Sequence, residues 1–109
     1  MICIYKYSNV PKERMQNIII SSRIDEKLDG KHGVAAIEIE QCFGNHCGVN
    51  LIDDREDNRT DPATLWFIAE TNFGRLLKII FVYRDGNIYL KSAYEPSEVE
   101  INIYEEQGK

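Results

Sequence analysis

The sequence predicts an α+β domain: an antiparallel sheet of three to four strands with an N-terminal helical hairpin and a C-terminal helix. Three observations carry that expectation. Residues 64–71 and 75–84 are alternating apolar segments joined by Asn72-Phe73-Gly74. Asp85-Gly86, a strong short-range hairpin signal, turns the second segment into Asn87–Tyr94. After Pro96, Ser97 and Glu100 have the spacing of a capping box, which opens a last helix.

Residues 1–16 hold Pro11 and a charged Lys12-Glu13-Arg14 step with no clear period, so they read as an extension ahead of a single domain over 17–109. Met15, just before the first apolar run, is an alternative starting point for the fold. Ile18-Ile19-Ile20 is β-branched throughout and reads as a short strand. Ser21 and Ser22 are N-cap candidates for a first helix, with Ile24 and Leu28 on one face and Gly33 at the left-handed position after its end near His32. A second helix is expected over Ala35–Phe43, with Ala36, Ile39, Cys42 and Phe43 inward, Glu38 and Gln41 toward water, and Gly44 as its stop. Residues 44–62 are polar and rich in Asp, Asn and Gly, hence a loop, with room for one strand at Val49–Ile52.

The strand over Arg75–Arg84 is apolar on both faces, Leu77, Ile79, Phe81 and Tyr83 opposite Leu76, Lys78, Ile80 and Val82, so a central place in the sheet is expected. The last helix takes Val99, Ile103 and Tyr104 as its apolar stripe.

The chain has 109 residues, 43% hydrophobic and 28% charged, which suits one domain with a modest core. No apolar run approaches the ~20 residues of a spanning helix, and the first residues lack the pattern of a secretory signal, so a cytoplasmic protein is expected. Three cysteines, an odd number, argue for reduced thiols. The formal charge of −5 opposes nonspecific attraction to phosphate backbones, so any nucleic-acid role requires a local basic patch.

Two constellations invite a metal reading. Cys42, His46 and Cys47 lie close in sequence but lack the paired spacing of a zinc site. Asp53 to Asp61 is acidic but lacks the spacing and glycine of a calcium loop. A buried Cys42, a loop Cys47 and a solvated acidic loop are the simpler readings, so no metal and no cofactor is expected.

Lys31-His32-Gly33-Val34, Glu38-Ile39-Glu40-Gln41-Cys42-Phe43, Gly74-Arg75-Leu76-Leu77 and Ser92-Ala93, followed by a helix ending in Tyr104-Glu105-Glu106, resemble in order and spacing the BrnT toxins of the RelE/ParE-like toxin-antitoxin superfamily. Asp61 to Asn72 is also similar to small bacterial proteins labelled ADP-ribosyl-(dinitrogen reductase) hydrolases. The BrnT resemblance implies a type II toxin, an endoribonuclease that needs no metal, inhibits translation and is neutralised by a cognate antitoxin protein. RNA is then the second partner, no membrane is involved, and a homodimer is left open.

Cleavage by the 2′-hydroxyl requires a proton acceptor, a cation for the phosphorane and a donor to the leaving oxygen. On the resemblance, Arg75 is the phosphate clamp, with His32 and Tyr94 as further catalytic candidates and Lys31, Lys78 and Lys91 as substrate-binding candidates. Tyr94 stands where the family usually carries an arginine, so a fixed charge is replaced by a phenol. Arg75 after a turn and His32 in the last turn of a helix also have purely structural explanations, as a solvated side chain and a partner of the helix dipole. Two other functions are carried alongside: a noncatalytic protein-binding module related to such toxins, and a hydrolase acting on a modified nucleotide through the acidic loop.

Overall fold

The computed structural model describes residues 18–53 and 63–108. The expected extension over 1–16 and the acidic run from Asp54 onward lie outside the described residues. The elements are β1 (Ile18–Ile19), α1 (Ser22–Lys27), which runs on as a π-helical stretch over Leu28–His32, α2 (Ala36–Asn45), β2 (Leu51–Ile52), β3 (Thr64–Glu70), β4 (Leu76–Arg84), β5 (Asn87–Tyr94) and α3 (Glu98–Gln107).

Among the described residues one sheet holds the five strands in the order β1-β5-β4-β3-β2, with β4 at its centre. The α+β class and the β3-β4-β5 meander are as expected, and Asp85 and Gly86 both take positive φ at the second hairpin. The expectation of three to four antiparallel strands is corrected: among the described residues the sheet has five, and β1 pairs parallel with β5. A two-residue strand carries no local signal for its partner or direction, because both are set by long-range pairing. Antiparallel β2 occupies part of the Val49–Ile52 segment proposed as an extra strand.

Strand alternation sorts side chains onto two faces. On one face Phe67 and Phe81 meet Phe43 of α2 edge-on, at ring-centroid separations of 5.0 and 5.4 Å, and Ile39, Cys42, Leu28 and Val34 complete the core. Removing one such buried ring costs about 3–5 kcal/mol. The opposite face carries Trp66, Lys78, Ile80 and Tyr94, and α3 packs there, with Tyr104 5.7 Å from the Trp66 ring. Helices therefore cover both faces.

Helix boundaries follow capping chemistry with local shifts. Ser21, rather than Ser22, caps α1, accepting from the Ile24 amide. Gly33 takes φ 61° after the π-helical stretch, and the Val34 amide returns to the Leu28 carbonyl at 3.0 Å, which closes the end of the helix. α2 runs through Gly44 to Asn45, so Gly44 is no stop. Ala36 is exposed, and Glu38 and Gln41 bind neighbouring elements rather than water alone. The Ser97–Glu100 capping box forms in both directions. Of the expected apolar stripe of α3 Tyr104 is buried, but Val99 and Ile103 are exposed, and Glu100 and Ile101 face the sheet instead. The reason is an ion pair, described below, that draws Glu100 inward. No helix among the described residues is long and apolar enough to cross a membrane.

Candidate functional site

The site grows from an irregularity in β5. Ile80 pairs with Ser92 but Phe81 pairs with Leu90, leaving Lys91 as the extra residue of a bulge. β1 covers β5 only at Ile88 and Tyr89, so from Leu90 onward that edge faces α1. Between them lies a groove of about 400 Å³ lined by Arg23, Ile24, Lys27, Ile80, Leu90, Lys91, Ser92 and Tyr94. Its charged lining residues are all cations. Arg23 and Lys27 stand four apart and share one helix face, with exposed side chains. Lys91 donates to Thr64 Oγ1 at 3.4 Å. Ile80 and Leu90, both nearly buried and on opposite faces by their pairing, add apolar lining.

At the end of β5 the Tyr94 ring stands 5.6 Å from the His32 imidazole. Burial, then the charges of Lys31 and Lys27, push the His32 pKa below its usual 6.5. The imidazole is therefore neutral at pH 7 and able to accept a proton. Lys31 is exposed and acts on His32 through its charge.

Beneath Tyr94, Lys78 is 5% exposed and donates to Glu100 Oε2 at 2.7 Å, and the Tyr94 hydroxyl donates to the same oxygen at 3.0 Å. Lys78 Nζ also sits 4.4 Å above the centroid of the Trp66 ring, a cation–π contact. Burial by itself would raise the Glu100 pKa, but the hydrogen bonds from Lys78 and the Ser97 amide outweigh it and hold the carboxyl at about 2. Burial pushes the Tyr94 phenol up, so it keeps its proton at neutral pH.

Arg75 is a hub. Its Nε donates to Glu95 at 2.8 Å, Nη1 to Glu38 at 3.0 Å and to the Gly33 carbonyl at 2.9 Å, and Nη2 to the His32 carbonyl at 3.3 Å. Glu38 also accepts from the Ala35 amide at the start of α2, which, ahead of Arg75, lowers its pKa. One guanidinium thus ties the end of the π-helical stretch, the start of α2 and the residue after β5 together. It meets a phosphate only if Glu38 or Glu95 lets go.

His32, Tyr94, Lys78 and the Arg75 hub form one contiguous cluster, and Lys91 is linked to it by lining the same groove as Tyr94. Sequence reasoning missed Arg23, Lys27, Glu38, Glu95 and Glu100. The Arg23–Lys27 spacing was a usable signal, whereas the carboxylates are defined only by contacts across elements. Cys42 is buried and donates to the Ala69 carbonyl, with burial pushing its thiol up to about 12, and Cys47 is exposed. Among the described residues no three His, Cys, Asp or Glu side chains are grouped to hold a metal ion. Comparison of the chain with protein-family models, curated proteins and solved structures finds no match.

Proposed function

We propose that this protein is a BrnT-like toxin of a type II toxin-antitoxin system, an endoribonuclease that inhibits translation without a metal. One observation carries the reading: in a chain of net charge −5, a groove whose charged lining is wholly cationic ends at Tyr94, whose ring stands 5.6 Å from the His32 imidazole. In this reading Arg23, Lys27 and Lys91 hold the phosphate and stabilise the phosphorane. His32 accepts the 2′-hydroxyl proton as the 2′ oxygen attacks phosphorus. The bond to the 5′ oxygen breaks, leaving a 2′,3′-cyclic phosphate and a 5′-hydroxyl. Tyr94 turns from Glu100 to protonate the leaving oxygen, and Arg75 acts as a positioning residue by gripping the His32 carbonyl.

The test is cleavage of a single-stranded RNA by purified protein in the presence of a chelator. Cyclic-phosphate products that persist in the chelator and fall about 10²- to 10⁴-fold in His32→Ala are expected. Intact RNA under all salt conditions sinks the reading. A specific observation favours the second reading, a noncatalytic relative that binds a protein partner: Arg75 and Lys78 are both already held by carboxylates. Uncleaved RNA together with co-purification of a small antitoxin would select it.

A further inference from the structure

We propose that the groove seats a single unstacked nucleotide of an RNA strand, with its phosphate against Arg23 and Lys27 and its base against the apolar and aromatic lining that the sheet contributes. The inference rests on the reading of the chain as an RNA-binding protein but not on catalysis. Three features combine. A volume of about 400 Å³ falls at the small end of the roughly 300–1,000 Å³ of small-ligand sites, which suits one nucleotide and excludes a duplex. The lining is divided by chemistry: cations come from α1 and the bulge, while apolar and aromatic groups come from the sheet. That is the pairing by which single strands are held, with charge tracking the backbone and a ring or apolar surface taking the base. Ser92, paired with Ile80 and so on the same face, supplies a hydroxyl among the apolar groups for a sugar or base edge.

The β5 bulge shapes the seat. In a regular strand Leu90 and Ser92 would share one face; the extra residue Lys91 instead pairs Leu90 with Phe81 and Ser92 with Ile80, on opposite faces, and both reach the groove at the strand edge. A stacked base in a duplex cannot reach that lining, so the seat selects a strand whose bases are free.

The experiment measures binding of a fluorescent single-stranded oligoribonucleotide, with a matched duplex, adenosine monophosphate, inorganic phosphate and a polyglutamate peptide as competitors. The protein is used whole, as wild type and as Arg23→Ala/Lys27→Ala; both side chains are exposed, so the fold is kept. The single strand should bind at least about tenfold more tightly than the duplex. The double variant should weaken it about tenfold or more and reduce the slope of log affinity against log salt by about 1.4, the value for two phosphate contacts on a single strand. Adenosine monophosphate should compete better than inorganic phosphate, because only it offers a base; competition by the mononucleotide as strong as by the strand would assign the seat to free nucleotides and overturn the strand proposal. Equal affinity for duplex, an unchanged double variant, inorganic phosphate matching the mononucleotide, or preference for polyglutamate would each overturn it too. Binding that survives in a protein that cuts no RNA supports the seat while sinking the ribonuclease reading. Cleavage that continues in the double variant with unchanged affinity sinks the seat and removes Arg23 and Lys27 from the phosphate site, while the chain still cuts RNA.

Discussion

At the scale of single residues, His32 and Arg75 show how position changes the meaning of a side chain. The folded pKa of His32 lies below 6.5, so its charged form is the disfavoured one, and the stability linked to it is full above pH 6.5 and declines as acid charges the ring. If His32 is the proton acceptor, the cleavage rate should rise with pH about a midpoint below 6.5. A midpoint above that value would assign the role elsewhere. Arg75 is tied to two carboxylates and two carbonyls with its side chain only 29% exposed. A lysine cannot reproduce that fork, so Arg75→Lys should destabilise the protein by about 2–3 kcal/mol in urea titrations. An unchanged midpoint would show that the hub holds nothing together.

At the scale of elements, α3 shows an ion pair overruling an apolar pattern. Val99 and Ile103 suggested one face, but Lys78 on the central strand needs a counter-charge, and turning Glu100 inward supplies it while carrying Ile101 and Tyr104 onto the sheet. An unpaired buried lysine would cost several kcal/mol, more than the partial exposure of one valine. The Glu100 carboxyl titrates at about 2 in the folded protein, below the usual 4.5. Its contribution is therefore fully present above pH 4.5 and is lost as pH falls toward about 2. Glu100→Gln should lower stability at pH 7 by about 2–3 kcal/mol and flatten the acid dependence in that window, measured by denaturation at a series of pH values. Parallel acid curves for the two proteins would place the acid-sensitive group elsewhere.

At the scale of the molecule, the two faces of the sheet are joined around its short edge. β2 is two residues long, and the segment before it carries His46, stacked 4.0 Å from the Phe67 ring on the α2 face, with Nε2 3.2 Å from the Tyr104 hydroxyl of α3. That hydroxyl donates to the Val49 carbonyl, and the Val49 amide donates to the Gly108 carbonyl. Gly48 sits where any side chain would overlap both the Tyr104 hydroxyl and the Gly108 carbonyl. Gly48→Ala should therefore loosen α3 by about 1–3 kcal/mol, seen as faster amide exchange along Glu98–Gln107, with the α2 core less affected. Equal loosening everywhere would mean that α3 does not open separately.

The local rules of the chain by themselves determined the element order, the central place of β4, the Asp85-Gly86 turn, the Gly33 cap and the Ser97–Glu100 capping box. Those features depend on residues a few positions apart, where periodicity and backbone preference act directly. Tertiary structure alone decided that β1 runs parallel beside β5, that α3 lies on the face away from α2, and that Glu38, Glu95 and Glu100 close on Arg75 and Lys78. It also brought Arg23 and Lys27 against β5 to make the groove. The physical reason is that desolvated charges choose partners by proximity in the fold, and sequence spacing does not encode which distant side chain will be there.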